Sequence, residues 1–201
     1  MNSFHVGVSS WIIQDGNYPD FRIGEVVHLA LELHTRAIRE SSADSTSCTR
    51  VSGSNYRVTA RTIFTTRNVF VLDLGFLAYD QAPPPKWMKT GKWIDADIYV
   101  GVDPFCYFEE LYAIKGMPEL RYQFRIREIE LETTPWISTV DSSGRRINTR
   151  DETRQTYRPV AETDAWSDDN GNAHYVLDVE RIDNVTEPCG EPEPPVPRDL
   201  D

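Results

Sequence analysis

Hydrophobic and polar residues alternate along much of the chain, and this pattern predicts a mainly β protein. Between Tyr56 and Phe64 the even-numbered residues are largely apolar and the residues between them are mostly polar. The same alternation runs from Trp93 to Asp103. Successive side chains of a strand point to opposite faces, so a period of two predicts strands that are buried on one face. The almost continuously apolar run Val69–Tyr79 predicts a strand covered on both faces.

Two further segments have less regular patterns. Within Leu120–Glu132 the apolar positions are even-numbered up to Ile126 and odd-numbered from Ile129, which predicts a β-bulge near residues 127–128. Gly24–Arg39 fits both a strand and a helix. We favour a strand up to about Thr35, because a turn glycine precedes it and a polar loop follows.

One short helix is indicated by its end signals. Asp103 can cap it, Pro104 suits its first turn, and Gly116 followed by Pro118 can end it. These signals predict a helix over about residues 104–115, between two strands.

Together these elements predict a curled antiparallel sheet or a small OB-like barrel with one short helix. An antiparallel β-sandwich is the structural alternative. We expect residues 1–140 to form the barrel-like core domain and residues 141–186 to form a polar loop plus a β-hairpin extension packing on that core. Residues 187–201 are rich in proline and acid and predict a disordered acidic tail.

Composition and charge narrow the class of protein. The mean hydropathy is −0.49, and no apolar run approaches the roughly 20 residues of a membrane-spanning helix. The net charge is −11, and residues 159–201 hold 12 of the 32 acidic residues but 2 of the 21 basic ones. The three cysteines are far apart and odd in number, which predicts free thiols. We therefore expect a cytoplasmic protein without membrane contact.

The segment 93–103 carries the most chemistry. Asp95 and Asp97 lie two residues apart, a separation of roughly 7 Å along a strand. If a strand bearing arginines pairs with this segment, the carboxylates form cross-strand ion pairs, and we favour this structural interpretation. Aromatic residues beside arginines also suit a binding surface. The candidate binding residues are Trp93, Asp95, Asp97, Tyr99, Arg57, Arg61, Arg121 and Arg125.

Other chemistry finds little support in the sequence. Glycine-rich phosphate loops, the serine-elbow motif and the zinc-protease motif are absent. His28 and His34 share a strand face with Glu32, but six residues place the two histidines about 20 Å apart. We expect no metal site, no cofactor and no catalytic residues.

The leading functional hypothesis is a non-enzymatic interaction module that binds another protein through its barrel face or its acidic tail. The first alternative is an OB-like domain that binds single-stranded nucleic acid and competes with its own tail. The second alternative is a hydrolase that uses the strand carboxylates Asp95 and Asp97, or else Glu109 and Glu110 in the predicted helix.

Overall fold

The computed structural model describes residues 3–140 and 142–182. The predicted acidic tail, residues 187–201, lies outside this range. Within the described residues the strands are β1 (Ser3–Ser9), β2 (Val26–Leu29), β3 (Leu31–Glu40), β4 (Ser47–Ser52), β5 (Asn55–Thr65), β6 (Phe70–Asp73), β7 (Leu77–Asp80), β8 (Trp93–Val102), β9 (Tyr122–Glu132), β10 (Trp136–Val140), β11 (Arg146–Arg150), β12 (Tyr157–Val160) and β13 (His174–Arg181). The helices are α1 (Ser10–Gln14) and α2 (Cys106–Glu109), with 3-10 turns at Leu111–Ala113, Glu152–Arg154 and Asp168–Gly171.

Five of the strands close into a barrel in the order β3-β8-β5-β6-β7. Four neighbouring pairs are antiparallel, and β7 returns to β3 in parallel at the pair Glu32 and Tyr79. The prediction of a mainly β fold, with a curled antiparallel sheet or a small OB-like barrel, is confirmed.

The same sheet continues beyond the barrel through β1, β13, β9, β12 and β2, and we call this part the second sheet. β1 meets β8 in parallel at Gly7 and Gly101, and its whole length pairs with β13. β13 pairs with β9, which also pairs with β12 and β2. Gly7 is needed at this junction because a Cβ there would lie 2.6 Å from the Cζ of Tyr99 and closer still to its hydroxyl oxygen. The ring of Tyr99 therefore crosses the line where the two sheets meet.

The two sheets share one hydrophobic core. Inside the barrel, the alternating residues Val58, Ala60, Ile94 and Ile98 are buried as their spacing predicts. From the second sheet, Phe4 stacks on Phe76 at the turn between β6 and β7, with ring centroids 4.2 Å apart. Because this stack joins elements of both sheets, removing it should loosen their packing as well as lose buried area.

The structure confirms the bulge and the strand assignment for the ambiguous segment. On β9, Ile126 lies opposite Val179 and Glu128 opposite Asp178, so Arg127 is the extra residue. The segment that fitted both strand and helix forms β2 and β3. Cys48 and Cys106 are free thiols, as expected, and the third cysteine, Cys189, lies outside the described residues.

Two details of the sequence interpretation were wrong. The apolar run expected to form one strand is a hairpin, β6 and β7, because Gly75 has a φ of +92° and turns the chain. The helix expected over residues 104–115 is only α2 and the adjoining 3-10 turn. Phe105 takes a left-handed conformation with a φ of +81°, which delays its start.

Candidate functional site

The outer face of the barrel carries the predicted row of side chains on β8. β5 pairs with β8 so that Arg57 lies opposite Asp97, and the Arg57 Nε and the Asp97 Oδ1 are 3.1 Å apart. Thr59 donates a hydrogen bond of 2.8 Å to Asp95, and Arg61 lies opposite Trp93. The expected cross-strand ion pairing is confirmed for Asp97, whereas the partner of Asp95 is a hydroxyl group.

The structure separates the remaining candidates from this row. Arg125 lies on β9, opposite Val26 and Glu180, and β9 does not pair with β8 in the described part of the chain. Arg121 precedes β9 and binds Glu119, with Nε 2.8 Å from Oε1. Six of the eight candidate binding residues therefore lie on β5 and β8, and these two do not.

Asp103, which directly follows β8, points into the protein instead. It is fully buried, and its carboxylate accepts a hydrogen bond of 2.5 Å from the Tyr79 hydroxyl group. It also accepts the backbone N–H of Tyr107 at 3.2 Å, so it holds the first turn of α2 as a cap would. Burial raises the pKa of Asp103, while these hydrogen bonds oppose that rise.

Tyr99 leads from the barrel face into a cleft of about 350 Å³ at the junction of the two sheets. We call this the junction cleft, and its principal lining residues are Trp11, Ile12, Glu32, His34, Arg36 and Tyr99. Strands β3 and β8 supply its floor, and α1 supplies Trp11 at its rim. The cleft exists because Gly7 and Gly101, where β1 meets β8, leave room for the Tyr99 ring.

Polar side chains form a chain of contacts along this cleft. The His34 Nε2 lies 3.2 Å from the Glu32 Oε1, and the Tyr99 hydroxyl oxygen lies 3.0 Å from the His174 Nε2. On its other side, the Nδ1 of His174 lies 3.4 Å from the Glu132 Oε2. The His34 and Tyr99 rings, with centroids 5.7 Å apart, connect the first of these contacts to the others, so the series runs from β3 through β8 and β13 to β9.

Burial decides the electrostatics of this chain of contacts. Burial raises the pKa of Glu32 to about 7, and the carboxylates of Asp103 and Asp80 add to this against the opposing effect of His34. Burial lowers the pKa of His174, although Glu132 opposes this effect. Glu32 therefore exchanges a proton near neutral pH, whereas His174 stays neutral there. No group of three metal-ligating side chains occurs among the described residues.

A second surface feature is a separate hairpin formed by β10 and β11, which we call the hairpin arm. It is a two-stranded sheet that pairs with no other described strand. Its base is firmly held, since Trp136 donates to the Asp169 carboxylate at 3.0 Å and Arg150 binds the same oxygen at 2.5 Å. The Arg150 guanidinium also lies 4.1 Å from the centre of the Trp136 ring.

Beyond this base the arm is exposed on both faces. All five residues of β10 and the first four of β11 are exposed, including Ile137, Val140 and Ile147. Trp166, beside the loop that supplies Asp169, is 69% exposed. Cross-strand pairing places Ile137 opposite Thr149 and Ile147 opposite Thr139, so one face carries isoleucine and threonine side chains only.

The sequence interpretation missed both features. It expected a polar loop within residues 141–186, although a short alternation on either side of Gly144 could have indicated a hairpin there. It noticed Glu32 and His34 but tested them only as metal ligands. Tyr99 and His174 are 75 residues apart along the chain, so their contact had no local signal.

Comparison with known proteins gives no further guidance. Protein-family models, curated proteins and solved structures were all searched, and none of them matches this chain. Among the described residues, no helix has the length and apolar character needed to cross a membrane.

Proposed function

We propose that this protein is a cytosolic, non-enzymatic module that binds another protein, and that the hairpin arm is its contact surface. The observation that carries the proposal is an arm anchored at its base, with apolar side chains exposed on it. A two-stranded hairpin by itself is marginally stable in water, so a partner that covers one face would stabilise it. Exposed tryptophan beside it suits a binding surface, because aromatic side chains are enriched in protein interfaces.

The chemistry of the arm favours one kind of partner. Its face of Ile137, Thr139, Ile147 and Thr149 carries no charged side chain, whereas the opposite face carries Arg146 and Arg150. Nucleic acid binding draws mainly on cations that neutralise phosphate, so an uncharged face suits an apolar groove on a protein. Fully burying each isoleucine would contribute roughly 1.5 to 3 kcal/mol.

The two alternatives find less support on the barrel face. Its arginines are interspersed with carboxylates, and the pairing of Arg57 with Asp97 reduces the positive charge that could attract phosphate. A hydrolase needs a catalytic carboxyl group held in a cleft, whereas the Asp97 side chain is half exposed and paired with Arg57 on the sheet surface. In this arrangement Asp95 and Asp97 form cross-strand contacts with Thr59 and Arg57 on the surface of the sheet.

The test is capture of a partner by the full chain and by matched variants. The double variant Ile137→Thr, Ile147→Thr removes apolar surface from the arm, and Val51→Thr removes it from a more exposed site on β4. A protein retained from nuclease-treated lysate should be held by the wild type and by Val51→Thr. The double variant should bind it about tenfold more weakly or worse.

Crosslinking then locates the contact. A photoreactive residue at position 147 should crosslink the captured protein, and the same residue at the exposed position Tyr112 should not. Equal capture by the double variant would refute the arm as the contact surface. A protein that is retained from untreated lysate but not from nuclease-treated lysate would favour nucleic acid. A concentration-dependent dimer in light scattering would identify a second copy as the occupant.

A further inference from the structure

The floor of the junction cleft holds a carboxyl group, that of Glu32, whose hydrogen-bond partner is the exposed side chain of His34. Three carboxylates lie near one another, on Glu32, Asp80 and Asp103. Asp103 is satisfied by Tyr79 and the start of α2, and Asp80 accepts the Thr35 amide at 2.8 Å and the Thr35 hydroxyl at 2.7 Å. Glu32 is the member of this group that lines the cleft.

Glu32 is poorly solvated but remains accessible from the cleft. Its side chain is 17% exposed, and its hydrogen-bond partner His34 is 61% exposed. A carboxylate in this position has lost most of its hydration without gaining a firmly held cation. A positive group entering the cleft would restore that lost interaction.

The walls of the cleft suit an organic group rather than a bare ion. Trp11 is 49% exposed at the rim, and its indole ring is the exposed apolar surface among the lining residues. Indole rings attract organic cations through their negatively polarised faces. The volume of about 350 Å³ falls within the range of roughly 300 to 1,000 Å³ that is typical of small-molecule sites.

The other charges around Glu32 do not cancel its negative potential. Asp80 and Asp103 face it from β7 and from the end of β8, while Tyr18, Tyr79 and Tyr99 contribute hydroxyl groups of raised pKa. Cys106 faces the same region and its thiol pKa is also raised. Among the lining residues the positive groups are Arg36 and, when protonated, His34. His174 stays neutral against Glu132, as described above.

We propose that the junction cleft binds a small organic ammonium ion, an amine carrying an apolar or aromatic group, whose nitrogen pairs with Glu32 while its apolar part packs on Trp11. This site is independent of the hairpin arm and of the protein partner proposed for it. The ammonium nitrogen would lie at hydrogen-bond distance from the Glu32 carboxylate, and its positive charge would replace the proton that Glu32 binds in the unliganded protein. The apolar part would cover the exposed indole ring.

Binding of the amine is coupled to the release of a proton from Glu32. With a pKa of about 7, the Glu32 carboxyl group is about half protonated at neutral pH. Pairing with an ammonium ion requires the charged carboxylate, so the proton of a protonated Glu32 leaves for the buffer. As the pH increases towards 7, the affinity for the amine should rise about tenfold per pH unit. Above pH 7 it should level off until the amine itself loses its proton near pH 10.

The experiment uses calorimetry and tryptophan fluorescence with 2-phenylethylamine as the probe. 2-Phenylethanol and 3-phenylpropionate serve as matched neutral and anionic probes. The full chain is compared with Glu32→Gln, with Trp11→Ala and with Glu109→Gln, a control at an exposed glutamate on α2. Circular dichroism and thermal unfolding verify that each variant is folded.

The amine should bind the wild type and the Glu109→Gln control, releasing protons near pH 7. The two matched probes should bind at least about tenfold more weakly. Glu32→Gln should weaken amine binding by a similar factor and abolish its dependence on pH, and Trp11→Ala should weaken it without changing that dependence.

Three results would overturn the proposal: no binding of 2-phenylethylamine at about 10 mM, equal binding of the alcohol or the acid, or unchanged binding by Glu32→Gln. Proton release by the wild type, measured in buffers of different ionisation enthalpy, decides the matter if Glu32→Gln does not fold. Failure of this experiment leaves the protein-binding proposal untouched, because none of these variants alters the hairpin arm.

Discussion

The contact of Gly7 with Tyr99 makes a quantitative prediction about the junction of the two sheets. In the variant Gly7→Ala the new methyl group would lie 2.6 Å from the Tyr99 Cζ and closer still to the Tyr99 hydroxyl oxygen. Neither approach is possible between non-bonded atoms, so either Tyr99 must leave its position or β1 must move away from β8. Forcing extra volume into a packed site costs about 1 to 3 kcal/mol. Losing the hydrogen bond of Tyr99 with His174 costs about 1 kcal/mol more.

The free energy of unfolding should therefore fall by roughly 2 to 4 kcal/mol in Gly7→Ala, a large part of the roughly 5 to 15 kcal/mol that holds a domain folded. Urea unfolding followed by tryptophan fluorescence and circular dichroism measures this difference. The matched control is the same substitution made in a Tyr99→Val background, where the clashing ring is absent. The reasoning fails if Gly7→Ala costs less than about 0.5 kcal/mol, or if it costs as much in the Tyr99→Val background as in the wild type.

Three further predictions concern Glu32, Tyr79 and the ion pair of Arg57 with Asp97. The pKa of Glu32 is raised from 4.5 to about 7 in the folded protein, so its contribution to stability is complete below pH 4.5 and is lost as the pH rises through 7. Denaturation of the wild type and of Glu32→Gln across this range should show the wild type losing roughly 2 to 3 kcal/mol relative to the variant, and parallel curves would contradict the assignment. Tyr79→Phe removes the hydroxyl donor to buried Asp103 and should lower the free energy of unfolding by about 1 to 3 kcal/mol; an unchanged urea midpoint would show that the carboxylate finds another donor. The exposed pair Arg57 and Asp97 should show a coupling below about 1 kcal/mol in a double-mutant cycle, and a larger value would mean that the barrel face is less solvated than its exposure indicates.

Some of the fold could be predicted because local patterns determine it. The extra residue at Arg127 was predictable, since the apolar parity of β9 changes there and both halves must face one core. The alternation of β5 and β8 likewise determined which of their side chains enter the barrel. Leu74-Gly75-Phe76 was not recognised as a turn because β6 and β7 are buried, so the residues on either side of Gly75 are apolar.

The candidate sites were harder to predict, for two different physical reasons. The hairpin arm escaped notice because its exposed strands bury no apolar face, and the periodicity that reveals a strand comes from burial. The junction cleft depends on contacts between residues far apart in sequence. Glu32, Tyr99 and His174 meet because β1 joins β8 on one side and β13 on the other, and the alternation of one strand contains no information about that pairing.

The pairing of β1 with β13 also has a consequence for the order in which the molecule assembles. All five barrel strands lie between Leu31 and Val102, so they can pair while a ribosome is still making β9, β12 and β13. β1 must wait, because Ser3 pairs with Glu180 and Ser9 with His174. Closing a loop of this length carries a large entropic cost and slows folding. Until β13 has been made, β1 therefore lacks this strand partner. During this interval a chaperone would have the apolar side chains of β1, including Phe4, to shield from solvent.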